Sequence, residues 1–199
     1  MVIIPLGLNS ERLNKEPFNN KYVDILDKLK SKKIVFSVGR LVEYKGFEYL
    51  MEAGRYLDDN VVILIAGDGP LNNKLKRKIK KLNLKHKVIM LGKVNHISIW
   101  LNKCDLFCLP SITRNEAFGL VLVEALYFGK PLITINVEGS GMNYINKDRI
   151  TGFVVPPKDP KAIAQAIKDI LSNDNCISDF LKMQKKDLRS LILKPWERK

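Results

Sequence analysis

The chain has 199 residues, of which 46% are hydrophobic and 28% are charged, a balance typical of a soluble globular protein. Its length allows one sizeable hydrophobic core or two small ones, and its formal net charge of +13 raises the question of an anionic partner. No window approaches the roughly 18 consecutive apolar residues of a membrane-spanning helix, and the first residues lack a signal-peptide pattern, so we expect a cytoplasmic protein.

Short β-branched runs alternate with helical periodicities along the chain. In chain order we predict strand 33–38, helix 47–57, strand 61–66, helix 71–82, strand 87–91, helix 97–103, strand 105–109, helix 118–128, strands 131–135 and 152–156, helix 159–171 and one or two terminal helices over 177–194. Strands that alternate with helices predict βαβ units in a doubly wound parallel sheet. We therefore expect one Rossmann-like α/β domain over residues 1–199.

The basic residues are concentrated in one stretch. Between Gly69 and Cys104 the chain carries no acidic residue. The basic residues of this stretch are Lys74, Lys76, Arg77, Lys78, Lys80, Lys81, Lys85, Lys87, Lys93 and Lys103. Such a block can bind nucleic acid, an anionic membrane surface or a phosphorylated ligand, or it can be a solvated helix face. It has no interleaved aromatic residues and no nucleic-acid motif, so we expect no nucleic-acid partner and leave a peripheral membrane contact open.

The three cysteines, Cys104, Cys108 and Cys176, are an odd number, which argues against a disulfide framework. Cys104 and Cys108 are candidate metal ligands by residue type, but their spacing is loose and no further ligand lies near them in sequence. Cys108 also lies in an apolar predicted strand, so we interpret both as core thiols.

Glycine- and charge-bearing loops follow four of the predicted strands, at residues 39–46, 67–70, 110–119 and 136–141. The carboxyl ends of parallel strands share one edge of a sheet, and ligands of open α/β folds collect there. We therefore expect these loops to form one binding mouth. The sequence carries neither a Walker A pattern nor a Gly-x-Gly-x-x-Gly fingerprint after the first strand, which argues against a P-loop enzyme and a dinucleotide dehydrogenase.

The residue types in these loops suit a phosphorylated ligand. Arg40 and Lys45 offer a guanidinium fork and an ammonium group, the usual pair for a diphosphate. A helix that begins near Phe118 directs free N–H groups and its positive dipole end into the same mouth. Gly119 allows a ligand to approach that backbone closely.

Two glutamates, Glu116 and Glu124, are separated by seven residues, and Glu124 lies in an apolar run. An ionised carboxylate buried without a partner costs several kcal/mol. Glu124 therefore has a cationic structural partner, with Arg40 or Lys45 as candidates, or it faces a pocket and accepts hydrogen bonds from a vicinal diol such as a ribose. Glu116, just outside the predicted helix, is placed to accept hydrogen bonds from sugar hydroxyls.

Five segments, taken in order, resemble the donor-binding half of the retaining glycosyltransferases of family 4. These segments are VGRLVEYKGFEYLMEA, IAGDGPL, CDLFCLPSITRNEAFGLVLVEAL, FGKPLIT and TGFVVPPKDPKAIAQAI. The Glu, seven residues, Glu motif of that family matches Glu116 and Glu124, and the resemblance covers residues 1–171. It implies half of a GT-B fold, in which two Rossmann-like domains face each other across a cleft. It also implies transfer of a sugar from a nucleotide-diphosphate sugar to a glycan or lipid-linked acceptor, in polysaccharide biosynthesis.

The resemblance implies roles for individual residues. Arg40 and Lys45 bind the donor diphosphate in this scheme, Glu116 is the catalytic-site carboxylate that contacts the donor sugar, and Glu124 holds the ribose. The remaining implied substrate-binding positions are Gly39, Gly67, Lys93, Val94, Asn95, Ala117, Phe118, Gly119 and Leu120. The backbone of residues 117–120 lines the sugar and phosphate, and the loop of residues 92–95 borders the base. We expect no metal and no other cofactor, since the mouth has no Asp-x-Asp pair.

The sequence departs from the family pattern in two places. Many members have a Glu after a double glycine beyond the fifth strand, whereas this segment reads GSGMNYINKDRITG, which leaves the donor sugar open. Residues 1–20 resemble the linker that follows an N-terminal acceptor-binding domain, so we expect that domain to lie outside this chain and the chain alone to bind donor without transferring sugar. Two alternatives stay open: a GT-B epimerase, and a non-enzymatic module that binds nucleic acid or other anions through its basic face.

Overall fold

The structure, a computed structural model, describes residues 22–116 and 119–172. Within these residues the strands are β1 (Lys33–Val38), β2 (Val61–Ala66), β3 (Val88–Gly92), β4 (Leu106–Leu109), β5 (Leu132–Ile135) and β6 (Gly152–Val155). They form one parallel sheet in the order β3-β2-β1-β4-β5-β6. This confirms the predicted doubly wound α/β fold. The predicted linker over residues 1–20 and the predicted helices over 177–194 lie outside the described residues.

The helices follow the predicted alternation. They are α1 (Val23–Lys28), α2 (Phe47–Ala53), α3 (Asn72–Lys81), α4 (Ile97–Lys103), α5 (Leu120–Tyr127), α6 (Met142–Ile145) and α7 (Pro160–Ser172). Two short 3₁₀ turns, Glu43–Lys45 and Gly54–Tyr56, flank α2, so the predicted helix 47–57 changes its hydrogen-bonding pattern at Gly54. The sequence did not predict α1 and α6, which are too short to show a clear helical period.

The sheet is buried on both faces. Successive side chains of a strand point to opposite faces, and all six residues of β2 are buried. Right-handed crossovers place α2 and α3 over one face and α4 to α6 over the other. In agreement, α2 packs against α7, while α5 packs against both α4 and α6.

Cys104 and Cys108 are buried free thiols, as predicted for core residues. Burial raises the pKa of the Cys104 thiol to about 12, and it raises the pKa of Cys108 as well. The described part of the chain contains no group of three or more His, Cys, Asp or Glu residues arranged to hold a metal ion. Across the same residues, no helix has the length and apolar character needed to cross a membrane.

Candidate functional site

The site lies where the strand order reverses. β1 pairs with β2 on one side and with β4 on the other. The loops that follow β1 (residues 39–46) and β4 (residues 110–116) therefore leave the sheet toward opposite faces, which opens a crevice between them. A backbone hydrogen bond from the Ile112 N–H to the Tyr44 carbonyl, 2.8 Å long, joins the two loops at the base of that crevice.

Gly46 lets these two loops approach closely. Its backbone is left-handed, with φ of 64°, and a Cβ at this position would lie 2.1 Å from the Pro110 carbonyl oxygen. Only glycine meets both conditions. The close approach places the 3₁₀ turn Glu43–Lys45 directly beside the β4 loop, so that Lys45 reaches across the crevice.

Lys45, Ser111 and Glu116 form a largely buried polar cluster in the crevice. The Lys45 ammonium pairs with Oε2 of Glu116, and the side chains are 12% and 13% exposed. The fully buried Ser111 hydroxyl donates to the same Oε2 at 3.0 Å. The Lys45 ammonium also lies 5.7 Å from the centroid of the Tyr44 ring, a cation–π distance. These contacts fix one oxygen of Glu116, while Oε1 makes no hydrogen bond with another described residue and can accept one from a ligand.

The loop after β5 (residues 136–141) also holds the backbone around Glu116 in place. The Ser140 hydroxyl donates to the backbone carbonyl of Glu116 at 2.8 Å. The Arg114 guanidinium packs over Gly139, and its Nε donates to the Glu138 carbonyl at 2.7 Å. The segment in which the sequence departs from the family pattern therefore holds the β4 loop in place. Our sequence reasoning singled out neither Ser111 nor Ser140, and the available signal was a small polar residue at the end of a buried strand or within a glycine-rich loop.

Glu124 lies on the helix that begins at this crevice. Gly119, with φ of 63°, precedes α5, so the helix begins at Leu120 rather than near Phe118. Glu124 is half-buried between buried Val123 and Ala125, and this burial raises its pKa. Its carboxylate forms no ion pair or hydrogen bond with another residue that the structure describes.

The ion-pair interpretation of Glu124 is therefore wrong for both candidate partners. Lys45 pairs with Glu116 instead, and Arg40 is exposed without an ion pair to any described residue. Ala117 and Phe118, two of the predicted substrate-binding positions, lie outside the described residues. Leu120, the next one, is 48% exposed at the first position of α5 and shares a helical face with Glu124.

The other predicted positions line the same edge of the sheet. The Gly39 N–H donates to the Ala66 carbonyl at 3.1 Å, and the Gly67 N–H donates to the Gly92 carbonyl at 2.8 Å. A Cβ on Gly39 would lie 3.4 Å from the Lys45 ammonium, so the glycine leaves room beside that cation. After β3, Lys93 and Asn95 are exposed, whereas the Val94 side chain packs against the hydrophobic core. The structure thus brings Gly39, Lys45 and Glu116 together and sets the loop of residues 92–95 at the side of the mouth.

Comparison with known proteins adds to this geometry. Residues 19–187 match the family model for glycosyl transferases group 1. O-antigen chain mannosyltransferase C of Escherichia coli is 32% identical over 139 residues, covering 69% of this chain and 36% of that protein. The E. coli UDP-Gal:alpha-D-GlcNAc-diphosphoundecaprenol alpha-1,3-galactosyltransferase is 33% identical over 176 residues, covering 83% of this chain and 43% of that protein.

A solved structure shares the fold. Anabaena Alr3699/HepE, solved in complex with UDP-glucose, superposes with a TM-score of 0.81 at 20% sequence identity, covering 94% of this chain and 52% of that one. The chain therefore spans less than half the length of the two E. coli relatives and about half of the Anabaena protein. Because the family model matches most of the chain and both E. coli relatives exceed 30% identity over more than two thirds of it, this chain belongs to the group 1 glycosyl transferases.

Proposed function

We propose that this chain binds a nucleotide-diphosphate sugar in the crevice between the β1 and β4 loops and acts as the donor-binding domain of a retaining glycosyltransferase. The observation that carries the proposal is Glu124: a half-buried carboxylate with a raised pKa and no described partner, on the helix that begins at the crevice. A group in that state is stabilised by a ligand that donates hydrogen bonds to it, and a vicinal diol donates two.

The diphosphate lies against Arg40 and Lys45. Arg40 is exposed at the mouth, and the Lys45 ammonium lies beside Gly39, whose lack of a side chain leaves room next to that cation. Negative charge grows on the diphosphate as the bond to the sugar breaks. A guanidinium, an ammonium group and the first N–H groups of α5 stabilise that charge, and this stabilisation lowers the barrier to transfer. The same groups replace the charge of a divalent ion, so donor binding needs no metal.

Glu116 contacts the donor sugar through Oε1. Lys45 and Ser111 hold the other oxygen, so the carboxylate has a fixed orientation before the donor arrives. Ser140 fixes the backbone of the same residue. A carboxylate held in this way loses little freedom on binding and can stabilise positive charge that develops at the anomeric carbon.

Transfer itself requires a second, acceptor-binding domain. The described site residues all belong to this one domain, and retaining transfer also needs the acceptor hydroxyl held on the same face of the sugar as the leaving diphosphate. Orientation of that kind contributes up to about 7–11 kcal/mol to a reaction barrier. The acceptor is a glycan or a lipid-linked glycan, as the names of the two E. coli relatives support. The buried free thiols Cys104 and Cys108 support a reducing, cytoplasmic compartment.

Calorimetric titration of the 199-residue chain with UDP, GDP and ADP, and then with their sugar conjugates, tests the proposal. We expect saturable binding of one nucleoside diphosphate in preference to the others, and a large loss of affinity in Glu124→Gln. The matched control is Asp58→Asn, which removes one negative charge from an exposed residue before β2, at the opposite edge of the sheet. Absence of saturable binding by all three diphosphates and by their conjugates contradicts the proposal.

A further inference from the structure

Among the described residues, a cluster of exposed cations lies on one flank of the sheet. Its exposed cations are Lys74, Lys76, Arg77, Lys80 and Lys81 of α3, with Lys85 in the turn that follows. None of them forms an ion pair with a residue that the structure describes. We name these residues, together with the partly exposed side of β3, the α3–β3 face.

Not every cation of this stretch is left uncompensated. Lys78 pairs with Glu48 and Glu52 of α2, and the buried Lys87 pairs with Asp59. Lys78 and Lys87 are therefore compensated by carboxylates, whereas the exposed cations of the α3–β3 face are not. A solvated surface helix usually mixes both signs of charge, so this one-sided arrangement indicates an anionic partner.

The α3–β3 face also contains an apolar groove. β3 ends the strand order of the described sheet, and its residues Ile89 and Met90 are only partly buried. Together with Ile79 and Val88 they line a groove of about 280 Å³, with Lys76 and Lys85 at its rim. An apolar floor between two cations suits an amphipathic surface better than a purely polar anion.

We propose that the α3–β3 face binds an anionic phospholipid membrane, with its lysines against the lipid phosphates and the groove against the headgroup–acyl boundary. A nucleic acid also carries phosphates, but the face has no aromatic side chain on which a base can stack, and its floor is apolar. The inference does not rest on the donor site. The face borders the mouth, since the Gly92 carbonyl at the end of β3 accepts a hydrogen bond from Gly67, so docking brings the mouth near the membrane surface.

Vesicle co-sedimentation of the full chain tests the proposal, with phosphatidylcholine alone or phosphatidylcholine containing one third phosphatidylglycerol. We expect binding to the anionic vesicles only, and weaker binding as salt is raised. Each cation near an anionic leaflet contributes about fivefold to the partition constant, so the triple variant Lys76→Gln/Lys80→Gln/Lys85→Gln should bind about a hundredfold more weakly.

Two controls separate this face from net charge and from the donor site. The variant Lys28→Gln/Lys147→Gln/Lys161→Gln loses the same net charge at exposed positions elsewhere and should bind almost as wild type. Both triple variants should keep the melting temperature and the nucleoside-diphosphate affinity of the wild type, because they change exposed side chains that are not among the candidate site residues. Three results would each overturn the proposal. They are equal losses of vesicle binding in the two triple variants, no binding of the wild type to anionic vesicles, and tighter binding to a random oligonucleotide than to vesicles.

Discussion

The two glutamates of the mouth should respond in opposite ways to the same substitution. Glu116→Gln removes the charge that compensates Lys45, whose side chain is only 12% exposed. Breaking a buried pair costs up to about 3–5 kcal/mol, and because glutamine still accepts a hydrogen bond from the lysine we expect a loss of about 1–3 kcal/mol. For a domain of this size each kcal/mol shifts the melting temperature by about 2–4 °C, so a decrease of several degrees should be visible.

Glu124→Gln should leave the stability unchanged or raise it. Burial raises the pKa of Glu124 above its ordinary value of 4.5, so this carboxyl contributes most to stability in acid and its contribution is lost as the pH rises through its folded pKa. Glutamine does not titrate. The difference in melting temperature between variant and wild type should therefore favour the variant near neutral pH, shrink as the pH falls through the raised folded pKa, and be nearly gone below 4.5.

Thermal melts across this pH range, paired with calorimetric titration of a nucleoside diphosphate, measure both effects. Two hydrogen bonds to a charged acceptor, each contributing about 1.5–3 kcal/mol, predict at least a tenfold loss of affinity in Glu124→Gln. Asp58→Asn should change neither quantity. A large decrease in melting temperature for Glu124→Gln, with nucleotide affinity intact, would refute the assignment of Glu124 to the ligand.

Three further predictions concern the cations, the metal and the thiols. Arg40→Ala and Lys45→Ala should each weaken nucleoside-diphosphate binding by roughly ten- to a hundredfold. Unchanged affinity in both variants would show that the diphosphate does not bind at these two residues. Excess chelator should leave the titration unchanged, so a titration that becomes flat shows a metal requirement. Cys104 and Cys108 should resist alkylation in the native protein at pH 8, since burial raises the pKa of the Cys104 thiol to about 12. Peptide mapping after treatment with an alkylating reagent measures this, and rapid labelling of either cysteine would contradict the prediction.

The sheet was predictable because its strands are short, apolar and β-branched. β1 and β2 have the predicted bounds, and α4 coincides with its predicted helix 97–103. Prediction failed where local pattern is weak: α6 has four residues, and the 3₁₀ turn Glu43–Lys45 carries no periodicity that a window can detect. That turn matters for the site, because it directs Lys45 toward the β4 loop.

The residues of the candidate site were predictable by type but not by partner. Lys45 and Glu116 are 71 positions apart, and their pairing depends on the close approach at Gly46, which the sequence does not reveal. Sequence reasoning therefore offered Lys45 as a possible partner of Glu124. The supporting hydroxyls of Ser111 and Ser140 were missed for a related reason: serine is common in loops, and only the folded geometry shows that these two hold Glu116.

Hydrogen-exchange mass spectrometry with and without the tightest-binding nucleoside diphosphate tests the central claim most directly. Donor binding in the crevice should slow exchange in three segments at the carboxyl edge of the sheet: the β1 loop (residues 39–46), the β4 loop (residues 110–116) and the first turn of α5. The α3–β3 face should be unaffected. Protection confined to that face, or to the opposite edge of the sheet around Lys30 and Asp105, would contradict the account.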